Sequence, residues 1–167
     1  QDYIKMILFI SEKYYNSRRT DGRKLLILFS TIDMCTMMTN AFTKEYPNLS
    51  VKRYVEKDSY EEMLTGDIVI STNGSTGTAI DIPGLITAIQ TVPISDKQLN
   101  IQALGRLRER PGEEVLYISL YCENLKAHKD NKEKRFHILK DRVVTITTDR
   151  YHEKLGNVGA LNVNAIK

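Results

Sequence analysis

An α/β fold, a parallel sheet with helices on both faces, is what this sequence predicts, on three observations. Short apolar runs such as Leu25-Leu26-Ile27-Leu28-Phe29 and Ile68-Val69-Ile70 lack the alternation of a half-exposed strand, so they read as strands covered on both sides. Between such runs lie segments whose apolar residues return at helical spacing. Strand and helix then alternate through residues 24–121, the pattern of βαβ units.

Each element has its own signal. Residues 2–16 carry Ile4, Ile7, Leu8 and Tyr14 or Tyr15 at roughly helical spacing, and a polar break at 17–23 with Asp21-Gly22 ends that helix. The chain opens on Gln1 in what reads as mid-helix, so it is expected to be part of a longer polypeptide. After the strand at 25–29, Ser30 or Thr31 can cap a helix over 32–46 that stops before Pro47-Asn48. Residues 49–55 read as a second strand, and 59–64 as a short helix with Ser59 and Glu62 spaced as a capping box and Gly66 as its stop. A third strand at 67–71 leads into a loop of small and hydroxyl residues, 72–78. Strands at 86–92 and 115–121 flank a helix that begins near Ser95.

Beyond the fifth strand, residues 123–144 read as a docked amphipathic helix. Leu125, Phe136, Ile138 and Leu139 are expected beneath a solvated basic face that includes Lys126, Lys129, Lys132, Lys134 and Arg135. An edge strand is expected at 143–148 and a loose tail at 156–167.

Composition sets the limits. The 167 residues amount to about one domain, and 41% hydrophobic with 27% charged residues is a globular balance. A net charge of +3 permits nucleic-acid binding without arguing for it. Cys35 and Cys122 fit no metal spacing and are expected as reduced thiols of a cytosolic protein; His128, His137 and His152 suggest neither a metal site nor a catalytic dyad. No apolar run approaches the length of a membrane span.

Two stretches carry chemistry. Ligands of parallel sheets bind beyond the carboxyl ends of the strands, where the loop from Ser71 to Asp81 offers hydroxyls and backbone N–H groups to phosphate or ribose. It is not a P-loop, because Gly-Lys-Ser/Thr is missing, and Pro83-Gly84 after Asp81 also suits a plain turn. On the helix from Ser95, Gln102, Arg106 and Arg110 recur every fourth residue, so an amide and two guanidinium forks share one face suited to a polyphosphate. Gly105 inside that helix costs about 1 kcal/mol against alanine, which points to something approaching the backbone there.

These residues carry a resemblance. A strand ending in Phe29-Ser30, then Ile70-Ser71-Thr72 with Gly77-Thr78-Ala79-Ile80-Asp81-Ile82-Pro83, then Gln102-Ala103-Leu104-Gly105-Arg106, resemble in order and placement motifs IV, V and VI of the second RecA-like domain of superfamily 2 helicases. The likeness covers residues 24–121. Within the superfamily, Asn124, His128 and Arg135 in the last helix resemble the pattern of phage branch-migration and DNA-repair helicases.

The resemblance implies a RecA-like helicase C-terminal domain over 24–145, preceded by a leading helix and linker at 1–23 and followed by an extension at 146–167. It implies part of an ATP-dependent DNA helicase, with RNA not excluded as the track, in the cytoplasm or, for a phage product, the host cytoplasm. Arg106 would reach the γ-phosphate of ATP held with Mg2+ mainly by an N-terminal RecA-like domain of the same protein. Glu109 stands where the second arginine is usual, which leaves Arg108 or Arg110 for that role. Gln102 would help orient the nucleotide or couple it to nucleic acid, with Gly105, Gly77, Thr78 and Asp81 at the domain cleft and Asp81 near the ribose. Ser30, Thr31, Ser71, Thr72 and Asn73 would face the phosphodiester backbone. Ala79 stands where a glycine is usual. The 167 residues contain neither a Walker A loop nor an Asp-Glu box, so this chain alone is not expected to hydrolyse ATP. Two rival readings are a non-motor nucleic-acid-binding module of the same fold and a small α/β enzyme acting on a phosphorylated substrate.

Overall fold

The computed structural model describes residues 2–75, 80–94, 96–97, 102, 105–108, 110–149 and 161–166. Helix α1 (Asp2–Tyr14) leads through a short 3-10 turn to β1 (Lys24–Phe29), α2 (Ile32–Glu45), β2 (Val51–Tyr54), α3 (Tyr60–Leu64) and β3 (Ile68–Thr72). There follow β4 (Leu85–Gln90), β5 (Leu116–Leu120), α4 (Lys126–Leu139), β6 (Val143–Asp149) and β7 (Leu161–Ile166). The strands form one seven-stranded sheet in the order β2-β3-β1-β4-β5-β7-β6. The first five are parallel, with Ile27 of β1 opposite Ile70 on one side and Ile89 on the other.

Strand β1 shows why apolar runs sit at the centre of such a sheet. Leu25, Ile27 and Phe29 pack on one face with Ile7 and Ile10 of α1 and Cys35, Met38 and Phe42 of α2. Leu26 and Leu28 point to the other face, against Val69, Ala88, Tyr117, Leu107, Met63 of α3 and Leu139 of α4. Helices therefore cover both faces, and α1 is part of the same core as the sheet.

Local chemistry sets the ends as expected. Thr31, in extended backbone, caps α2 by accepting from the Met34 N–H at 3.3 Å, and Ser59 caps α3 by accepting from the Glu62 N–H at 3.3 Å. Gly84 has φ +85, and a side chain there would lie 2.1 Å from the Gly22 carbonyl oxygen, so the turn after Pro83 needs glycine. At the amino ends of the strands, the Tyr15 hydroxyl lies 2.7 Å from the Arg23 carbonyl and 3.1 Å from that of Asp67, while Asp67 accepts from Ser50 N and Arg19.

Three expectations are corrected. The segment expected as a loose tail contains β7, which lies antiparallel between β5 and β6, with Val163 opposite both Ile118 and Thr147. Asn162 and Asn164 are poor strand formers, but a partner on each side supplies the backbone pairing that overrides propensity. Gln102 and Gly105 are helical, but the chain has left the helix by Arg108 and Arg110, so Arg110 does not continue the row of Gln102 and Arg106. Helix α4 docks through Leu139 and the partly buried Ile138 as expected, but Arg135 is buried with them while Leu125 and Phe136 are exposed.

Candidate functional site

The strand order reverses about β1, with β3 on one side and β4 on the other, and ligands of such sheets lie beyond the strand ends at that point. Two open features hold the candidate residues. One is an open groove lined by Ser30, Thr31, Glu56, Thr72, Asn73 and Ser75. Its hydroxyls are tied together: Thr72 donates to the Ser75 hydroxyl at 2.7 Å and accepts from the Ser75 N–H at 3.0 Å, and the same Ser75 hydroxyl accepts from Glu56 N at 3.3 Å. Glu56 holds φ +41, a left-handed backbone that non-glycine residues rarely adopt. No lysine or arginine lines the groove among the described residues, so any grip on phosphates there is by hydroxyls and peptide N–H groups.

The other feature is a cleft lined by Ile80, Asp81, Gln102, Gly105, Arg106 and Arg108. Arg106 is only 8% exposed, its Nη1 donates to the Gln102 carbonyl at 3.0 Å, and its buried Nε has no partner among the described residues. Burial alone pulls its pKa below the usual arginine value, and the guanidinium stays charged at neutral pH. Arg108 is far more exposed, with Nη2 3.5 Å from Asp81 Oδ1. An ion pair this open contributes about 0–1 kcal/mol, so an incoming phosphate can separate it at little cost. Above Gly105, none of the described residues outside its own helix lies within 4 Å of where a side chain would begin.

The structure thus brings Gln102, Gly105, Arg106, Arg108 and Asp81 into one cleft, and Ser30, Thr31, Thr72 and Asn73 into one groove. Arg110 does not line that cleft; its backbone carbonyl accepts from Glu113 N at 3.1 Å. Ser71 is fully buried and donates to the Tyr54 carbonyl, which places it inside the sheet and away from any surface. Gly77 and Thr78 lie outside the described residues. Sequence reasoning missed Glu56, whose left-handed backbone has no local signal, and Tyr60, whose hydroxyl donates to the Asp81 carbonyl at 2.9 Å. In the last helix, His128 Nδ1 accepts from the Cys122 N–H at 3.0 Å, and Arg135 is buried. Among the described residues no group of His, Cys, Asp and Glu is arranged to hold a metal, and no helix is long and apolar enough to cross a membrane.

This is a RecA-like fold of the kind found in helicase domains. The Hef helicase domain of Pyrococcus furiosus matches 79% of the chain with a TM-score of 0.57 at 16% identity. Domain 2 of the DEAD-box helicase Mss116p, solved bound to an RNA duplex, matches 71% with a TM-score of 0.53 at 17% identity. Dbp5 of S. cerevisiae, bound to RNA and ADP BeF3, matches 83% with a TM-score of 0.54 at 16% identity. The chain spans 28%, 48% and 35% of those three chains, in that order. Neither a protein-family model nor a curated protein sequence matches it.

Proposed function

We propose that this chain is the C-terminal motor domain of an ATP-dependent nucleic-acid helicase or translocase, working against a second RecA-like domain of the same protein that carries the Walker A and B elements. The observation that carries the reading is Arg106: a buried guanidinium with no carboxylate partner among the described residues, at the wall of an open cleft. An orphaned Nε suits an oxyanion. Bound ATP and Mg2+ supply the phosphoryl chemistry. Arg106 stabilises charge on the terminal phosphate, and the backbone contact to Gln102 fixes its approach. Arg108 is the second arginine, because it shares the cleft with Arg106 and is held in reserve by Asp81. Asp81, released when Arg108 turns to phosphate, accepts from the ribose. Room above Gly105 lets the partner domain come close.

The groove of Ser30, Thr31, Thr72 and Asn73 holds one strand by its phosphodiester backbone, with Gly77 and Thr78 between groove and cleft in the sequence. DNA is the proposed track, and the phage-type repair helicases the proposed branch.

The test is turnover by the full-length protein. Arg106→Ala is expected to leave ATP binding nearly intact while lowering hydrolysis by roughly 10³-fold or more, as loss of an arginine finger does. Arg108→Gln should lower it substantially and Arg110→Gln little. Near-normal hydrolysis in Arg106→Ala would falsify the assignment. Comparing stimulation by DNA and RNA decides the track.

A further inference from the structure

The hydroxyl groove ends in sequence at Ser75 and the arginine cleft begins close after it, at Ile80 and Asp81. One turn, between β2 and α3, holds a residue of each. At its start the Glu56 N–H donates to the Ser75 hydroxyl at 3.3 Å. At its end the Tyr60 hydroxyl donates to the Asp81 carbonyl at 2.9 Å.

The turn is braced from within. Asp58 accepts from Arg53 through both carboxylate oxygens, at 2.9 Å each, and from the Val55 N–H at 3.0 Å, while Arg53 Nη1 donates to the Thr36 hydroxyl of α2 at 2.8 Å. Its backbone passes through the left-handed region at Glu56, φ +41, a conformation that persists in a non-glycine residue only where the surroundings fix it and that gathers at functional sites. The Tyr60 ring meets the Tyr54 ring edge-on, with 6.4 Å between centroids, so the phenol is aimed as well as tethered. Yet Tyr60 is 40% exposed. Starting α3 is the task of the Ser59 cap and needs no phenol, whereas the Tyr60 hydroxyl reaches a cleft residue whose carboxylate faces Arg108 at 3.5 Å.

We propose that Tyr60 is a positioning residue that couples the two sites: the turn it closes holds groove and cleft in one register, so that a strand seated in the groove is felt at Asp81 and Arg108. The inference rests on the motor reading above and adds the link between its two halves. A strand drawn against Ser75 shifts the Glu56 N–H; the braced turn moves as a unit and carries the shift through the Tyr60 hydroxyl to Asp81, which holds Arg108 back from phosphate. Such coupling runs both ways, because a strand that changes nucleotide affinity must have its own affinity changed by the nucleotide in equal measure. Tyr60 itself lines neither groove nor cleft.

The experiment uses the full-length protein and the variant Tyr60→Phe, which removes one hydroxyl from an exposed ring; circular dichroism checks the fold. ATP hydrolysis is measured alone and with dT20 or rU20, and affinity for the fluorescein-labelled oligonucleotide is read by anisotropy with and without adenylyl imidodiphosphate. Basal hydrolysis and nucleotide-free affinity are expected to stay within about two-fold, while stimulation by the oligonucleotide and the effect of the nucleotide on its affinity both fall roughly five-fold. Asp58→Ala, which loosens the same turn, is expected to act likewise, and the double variant to lose no more than either single one. Stimulation at the unaltered level in Tyr60→Phe overturns the coupling and leaves the motor reading standing. Basal and stimulated rates that fall together make Tyr60 a structural residue and overturn it too, as do losses that add in the double variant. If neither oligonucleotide stimulates the unaltered protein, the motor reading fails and this inference fails with it.

Discussion

The two faces of the central sheet are built from alternate residues of the same strands, yet they differ in kind. The face toward α1 and α2 is almost wholly apolar, from Ile7 and Ile10 through Ile27 and Phe29 to Met38 and Phe42. The other face shares its apolar cluster with polar groups whose atoms lack partners among the described residues. Gln90 and Ser119 follow Ala88 and Tyr117 by two residues on their strands, and Arg106 and Arg135 lie beside Leu107 and near Leu139. A buried polar atom without a partner costs about 1–3 kcal/mol, so a fold selected for stability alone removes it. The first face is where the domain gets its stability. The second face gives some of it up, and at Arg106 it does so on the wall of the cleft proposed to meet the nucleotide.

That contrast can be broken by measurement. Phe42→Ala, on the apolar face, is expected to cost about 3–5 kcal/mol in denaturant unfolding, and a loss below 1 kcal/mol would show that the face is not closely packed. The same face should set an alkaline limit. Burial pushes the Cys35 thiol from 9.0 up to about 11, so between those pH values the unfolded chain binds fewer protons than the native one. Stability then falls by about 1.4 kcal/mol per pH unit as pH rises through that window, and is fully present below it. Cys35→Ala should remove that part of the slope, measured by urea midpoints from pH 8 to 11.

Smaller effects sharpen the comparison. Tyr15→Phe leaves the carbonyls of Arg23 and Asp67 without their hydroxyl and should cost about 1–2 kcal/mol, with no change in nucleic-acid affinity. Arg135→Met, on the opposite face, should leave the unfolding free energy unchanged or raise it by about 1 kcal/mol, because an apolar side chain of similar length replaces an unpaired buried charge. A large destabilisation there would mean that the arginine is structural. Asp81→Asn should move stability by less than about 1 kcal/mol, as suits an open ion pair, while changing nucleotide affinity of the full-length protein.

What was legible in the sequence follows from range. β1, the Thr31 cap and the Ser59 cap each rest on residues within a few positions of one another, and each stands where the residues put it. The motif residues were legible as types at strand ends, and Ser71 was misread because a hydroxyl at a strand end serves a surface or a neighbouring carbonyl equally well.

Taken by itself, the sequence determined the alternation of buried strands and helices, the helix caps, and the supply of guanidinium and hydroxyl groups in the segments that follow the strands. Only the tertiary structure decided that β7 enters between β5 and β6, that Arg108 and not Arg110 joins Arg106, and that Arg135 turns inward while Phe136 turns out. Propensity and capping act over one helical turn. Pairing of distant strands and the burial of a charge depend on which surfaces meet, and that is fixed when the whole chain closes on its core.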